Sequence, residues 1–163
     1  MRALTVADLP RLAGLEQELF GPSAWSPEML RQELAGPGRW YVGIDGDLPA
    51  ATGPVGTPPS SGGRALVAYA GLWFDGDVTQ VMTIGVTTAA QRRGLATVLL
   101  RALVDRSREL GAQAVLLEVR VDNTPAIALY EQFGFSVLAR RRRYYQPEDV
   151  DAFTMRLPLV TDA

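Results

Sequence analysis

With no histidine and no cysteine among its 163 residues, this chain must do any acid–base chemistry with Glu, Asp, Tyr or the substrate itself. Two side chains stand where such chemistry could occur. Glu118 interrupts an apolar run over residues 114–121, near its C-terminal end. A carboxylate in that setting is expected to be partly desolvated, which favours proton uptake and suits a general base. The same carboxylate could instead close a salt bridge with a nearby arginine. Tyr130 sits in a short helical stretch with Ala126, Ile127 and Phe133 near one face. It reads either as a core tyrosine whose hydroxyl finds a partner or as a proton donor.

A third feature is the turn Gln91-Arg92-Arg93-Gly94-Leu95-Ala96, between an apolar strand and a long helix. Gly94 lets the backbone approach a ligand, and Ala96 keeps the same approach open. The first N–H groups of a helix have no partner and point outward, and with the helix dipole they form an anion site. Arg92 and Arg93 add positive charge, so the chemistry suited to this turn is pyrophosphate binding. The bland alternative is a connecting turn with two solvated arginines. No Lys-Ser/Thr pair follows, so it is not a Walker-type loop, and it lacks the G-x-G-x-x-G spacing. The preceding strand, Met82-Thr83-Ile84-Gly85-Val86, contains an internal glycine, which often marks a bulge or a close backbone approach. Backbone groups left free there could pair with an extended ligand arm as if it were another strand.

The elements that must position these groups follow from periodicity and punctuation. Leu9, Leu12, Leu15 and Leu19 give an amphipathic helix over residues 6–19, with Thr5 as its cap. Ser26-Pro27-Glu28 starts a second helix that ends near Ala35. Residues 40–44 read as a strand closed by an Asp45-Gly46 turn. Residues 65–74 and 78–86 read as two more strands. Leu95, Leu99, Leu103 and Leu110 line the long helix, which Gly111 stops. Thr124 caps a short helix with Pro125 at its first position, and residues 136–145 and 152–157 form closing strands. The order is two helices, three strands, helix, strand, helix and two strands. That predicts an α/β (α+β) domain on a single mixed sheet. Residues 48–64 are Pro, Gly, Ser, Thr and Ala and read as a flexible loop within one domain spanning 1–163, with no linker.

Composition narrows the classes. The net charge is -2 and the pI near 5.2, so nothing demands nucleic acid or an anionic membrane. No signal peptide opens the chain and no apolar run approaches a membrane span, which predicts a cytoplasmic protein. The run Arg140-Arg141-Arg142-Arg143-Tyr144-Tyr145 could suggest RNA binding, but on a strand only about half of these arginines can share a face.

On the Gln91–Ala96 turn the chain resembles the GNAT acetyltransferase superfamily, whose pattern is Gln/Arg-x-x-Gly-x-Gly/Ala at the start of the long helix. The resemblance narrows downstream. Leu117-Glu118-Val119-Arg120, Asp122-Asn123, Ala126-Ile127-Ala128-Leu129-Tyr130-Glu131, Gly134-Phe135 and the Arg-Tyr run resemble the bacterial ribosomal-protein-alanine N-acetyltransferases of the RimI type. It covers roughly residues 83–157. Upstream, Ala24-Trp25-Ser26 echoes the family's Pro-Trp-Ser, with Ala in place of Pro.

The resemblance implies a GNAT fold, with a mostly antiparallel sheet flanked by helices, and acetyl-CoA as cosubstrate without a metal. It implies coenzyme A pyrophosphate on the backbone of Arg92, Arg93, Gly94, Leu95, Ala96 and Thr97. The pantetheine arm would lie along Ile84, Gly85 and Val86, with Asn123 free to bond it. Glu118 becomes the general base and Tyr130 the acid to the leaving thiolate. Trp25, Tyr144 and Tyr145 shape the peptide groove. The implied partner is a protein N-terminus, that of a small-subunit ribosomal protein, with no nucleic acid or membrane. Left open are a small amine or lysine as acceptor, a non-catalytic CoA-binding domain, and an RNA-binding module.

Overall fold

The computed structural model describes residues 1–48 and 63–160, so nearly all of the expected loop at 48–64 lies outside the described residues. The elements run β1 (Arg2–Ala3), α1 (Leu9–Phe20), α2 (Pro27–Ala35), β2 (Arg39–Asp47), β3 (Arg64–Phe74), β4 (Thr79–Val86), α3 (Leu95–Glu109), β5 (Ala114–Arg120), α4 (Thr124–Gln132), β6 (Ser136–Tyr145) and β7 (Val150–Pro158). All seven strands form one sheet in the order β1-β2-β3-β4-β5-β7-β6. Every pairing is antiparallel except β4 with β5. The single sheet expected from the element order forms, and it is mostly antiparallel, as the resemblance implies.

Alternation along the strands sends side chains to two cores. On one face Tyr41, Leu66 and Tyr69 pack with Leu9, Leu12 and Leu15 of α1 and Leu30 of α2. On the other, Val42, Ala68, Ala70 and Leu72 meet Leu99 and Leu103 of α3. Farther along, Leu100 and Val104 of α3 join Val115, Leu117 and Val119 of β5, with α4 against them. Each such Leu or Val contributes about 1.5–3 kcal/mol by leaving water.

Three local expectations are corrected and a fourth is made specific. The Asp45-Gly46 turn is absent: β2 runs through it to Asp47, paired with β3, and a register shift after Ile44 absorbs the irregularity. Asp45 is held instead by Arg2, at 2.7 Å. The first helix is preceded by a 3-10 turn over Val6–Asp8, whose Asp8 carboxylate accepts the Thr5 N–H at 2.9 Å. The cap of α4 is Asn123, whose Oδ1 accepts the Ala126 N–H at 3.3 Å, so Thr124 is already helical. Finally, the internal glycine of β4 makes room for a neighbour in the protein. A Cβ at Gly85 would stand 2.6 Å from the Tyr69 ring, its cross-strand partner.

That last contact gives a test. Gly85→Ala must displace a fully buried tyrosine. It should destabilise the fold by about 1–3 kcal/mol, lowering Tm by roughly 2–4 °C per kcal/mol in a thermal melt.

Candidate active site

β4 and β5 are parallel, yet they pair at only two positions, Thr79↔Val115 and Gln80↔Leu116. Beyond Gln80 they part. β4 stays on β3 as far as Val86, and β5 stays on β7 along its whole length. Backbone groups on the facing edges are thereby left without a ladder partner. The gap opens into a cleft of about 510 Å³. Its walls include Met82, Thr83 and Ile84 of β4, Glu118 and Arg120 of β5, and Asn123 and Tyr130 around α4. The segment between α1 and α2 closes one side with Ser23 and Trp25, and Tyr145 and Glu148 close another.

Glu118 makes the arginine salt bridge that one of its readings called for, and a hydrogen bond besides. Arg141 approaches Oε1 at 3.3 Å, and the Thr154 hydroxyl donates to Oε2 at 2.7 Å. The arginine is half-exposed, so the pair contributes at most about 1 kcal/mol. The carboxylate still lines the cleft. Tyr130 rests its ring 5.9 Å from that of Phe135, and its hydroxyl has no hydrogen-bond partner among the described residues. Burial pushes its phenol up to about 12, so at neutral pH it is a protonated donor. Burial, with the neighbouring Tyr144 and Glu118, likewise holds the Tyr145 phenol up at about 12.

At the end of β4, Gln91 donates from Nε2 to the Val86 carbonyl at 3.1 Å and ties the strand to the turn that opens α3. Arg92 and Gly94 both have left-handed backbones, with φ of 63° and 77°. Alternating hands turn successive N–H groups toward one concavity, the geometry of an anion nest. The first helical bond runs from the Val98 N–H to the Gly94 carbonyl, which leaves the N–H groups of Leu95, Ala96 and Thr97 without a backbone acceptor. A Cβ on Gly94 would meet nothing within 4 Å. The concavity is open, and its donors fit a pyrophosphate.

The profile of the acetyltransferase (GNAT) family matches residues 16–135, from within α1 to just beyond α4. The chain belongs to that family. The N-alpha-acetyltransferase RimI of Mycobacterium tuberculosis is 42% identical over 159 residues, 94% of this chain and 89% of that protein. The [ribosomal protein bS18]-alanine N-acetyltransferase of Escherichia coli is 41% identical over 85 residues, 51% of this chain and 57% of that protein. The crystal structure of the ribosomal-protein-S18-alanine N-acetyltransferase of Escherichia coli superposes with a TM-score of 0.80 at 28% identity, covering 99% of this chain and 94% of that one. The chain is thus an acyltransferase of the GNAT fold.

Within that family setting, the residues singled out from the sequence fall into two groups. Trp25, Ile84, Glu118, Asn123, Tyr130 and Tyr145 share the cleft, while Arg92 to Thr97 span the turn before α3 and its first helical residues, following Gly85 and Val86 in the chain. Tyr144 is not on the cleft wall. It packs edge-on against Tyr145 at 5.1 Å, under the Arg141 guanidinium. Asn123 is less free than expected, because its Oδ1 is engaged as the cap and only its N–H donors remain. Arg140, Arg141 and Arg143 are each ion-paired, to Asp151, Glu118 and Asp149. That leaves little of the run for phosphates. Glu16, Ser23, Thr83 and Glu148 also line the cleft and were not singled out. For Glu16 a signal existed: it lies four residues after Leu12 and three before Leu19, inside the apolar stripe of α1.

Gly94→Ala separates conformation from ligand contact. The added methyl meets no protein atom, so stability should fall by only about 1–2 kcal/mol for the left-handed backbone. If the turn holds pyrophosphate, CoA affinity measured by calorimetry should fall at least tenfold further.

Proposed function

We propose that this enzyme transfers the acetyl group of acetyl-CoA to the α-amine of a polypeptide N-terminus. The acceptor is the N-terminal alanine of a small-subunit ribosomal protein. The observation that carries the reading is one cleft, opened where β4 leaves β5, that holds both Glu118 and the Tyr130 hydroxyl, unpartnered among the described residues. RimI-named relatives that match over most of the chain support the substrate class.

When bound, acetyl-CoA supplies an activated thioester. Its pyrophosphate is assigned to the N–H groups of Leu95, Ala96 and Thr97, with Arg92 and Arg93 beside them. The pantetheine arm is assigned to the free edge of β4 at Ile84, Gly85 and Val86, with Asn123 donating from its amide. A main-chain N–H near Val86 stabilises the oxyanion. Glu118, directly or through a water, accepts the proton of the attacking amine, and Tyr130 gives one to the departing sulfur. The chain has no cysteine to carry an acyl group, so transfer is direct. Trp25 and Tyr145 shape the acceptor groove, with Tyr144 supporting Tyr145 from outside.

The α-amine is preferred to a lysine for an energetic reason. Its pKa is near 8 against about 10.4, so neutralising lysine costs about 3 kcal/mol more. We further take the chain as one domain acting in the cytoplasm.

The test uses two peptides carrying the N-terminus of the organism's own eighteenth small-subunit protein, one with a free α-amine and one with that amine blocked and a lysine free. Mass spectrometry should place the acetyl group on the α-amine alone. Glu118→Gln should lower kcat by about 10²–10⁴, and Tyr130→Phe should also lower it. No transfer to either peptide, with acetyl-CoA still bound, overturns the reading. A second outcome concerns pH. Because burial holds Tyr130 near 12, wild-type kcat should not fall between about pH 8 and 10 through loss of its proton.

A further inference from the structure

Glu16 is 2% exposed, yet its side chain forms part of the cleft wall. Every donor to it among the described residues is neutral. Tyr69 donates its hydroxyl to Oε1 at 2.7 Å, Thr83 donates to the same oxygen at 3.3 Å, and the Trp25 N–H reaches Oε2 at 3.3 Å. The chain has no lysine, and no arginine pairs with Glu16 among the described residues. The contrast with Glu118 is direct, because Arg141 already answers that charge.

A carboxylate taken out of water without a countercharge is unfavourable, and three neutral donors offset only part of that. Such a group is well placed for a cation that arrives from outside. The acceptor in the proposed reaction brings one. An α-amine with a pKa near 8 enters mostly as ammonium at neutral pH. Oε1 is held by two hydroxyls, while Oε2 carries a single long bond and keeps a lone pair for a charge-assisted contact.

We propose that Glu16 is the acceptor-recognition residue: its carboxylate takes the primary ammonium group of the substrate as it enters the cleft. Tyr69 and Thr83 fix the carboxylate from the sheet side. The Trp25 N–H ties it to the segment between α1 and α2, so the ion pair and the groove wall form together. Glu118 is then left to take the proton. This inference rests on the reading of the cleft as an amine-acceptor site.

The experiment measures peptide affinity by calorimetry with CoA bound, so that no reaction occurs. The free-amine peptide is compared with its desamino analogue, in which hydrogen replaces the α-amino group. Acetyl transfer to the free-amine peptide is measured in parallel. Wild-type protein should bind the amine peptide about tenfold or more tighter than the analogue. Glu16→Gln is nearly isosteric. It should lose that preference and raise the acceptor KM about as much, with CoA affinity unchanged. Equal affinity of wild-type protein for both peptides, with transfer intact, overturns the role of Glu16 and leaves the proposed function standing. So does a Glu16→Gln variant that keeps the preference. No binding and no transfer overturn both. If the variant fails to fold, the wild-type comparison alone decides.

Discussion

The separation of two parallel strands organises this protein. β4 and β5 hold together at Thr79↔Val115 and Gln80↔Leu116 and then go different ways, each still supported by an antiparallel neighbour. Unpaired main-chain groups inside a protein are unfavourable unless water or a ligand meets them. A splayed pair therefore amounts to a binding site for something extended. The rest of the fold serves that gap. α3 starts where β4 ends, and Gln91 fastens the two. α4 starts where β5 ends, capped by Asn123, and carries Tyr130 to the cleft wall.

A second constraint joins scaffold to site. Tyr69 lies across Gly85, fully buried, and its hydroxyl ends on Glu16. The ring sets the shape of β4, and the hydroxyl sets the position of a carboxylate. Burial and the adjacent Glu16 charge hold the Tyr69 phenol well above its ordinary value, so it remains a donor. Packing and polar positioning are thus carried by one residue, and α1 is bound to β4 through Thr83 as well.

Much of this was legible in the sequence because it is local. The Ser26 cap of α2, the glycine stops and the apolar stripe of α3 are read from neighbours in the chain. The Gln91–Ala96 turn stands out by residue type, whereas the left-handed backbones at Arg92 and Gly94 are seen only in the structure. What escaped depends on partners distant in sequence. Asp45-Gly46 looks like a turn until β3 is placed beside it. That the close approach at Gly85 is made by the Tyr69 ring is visible only across the ladder. The Arg-Tyr strand does not simply alternate, because the register shifts between Arg141 and Tyr145. Glu16 is hidden among the leucines of α1, because its side-chain partners, Tyr69 and Thr83, lie more than fifty residues away.

The central claim is that the divergence of β4 from β5 and the turn before α3 form one cosubstrate site. Hydrogen exchange with and without CoA tests it most directly. The account predicts slowed exchange on CoA binding at Ile84 and Val86, whose N–H groups face the gap, and at Leu95 to Thr97, with Thr79 and Gln80 unchanged because β5 already pairs them. Protection confined to other segments, or none at these amides while CoA is bound, would contradict it.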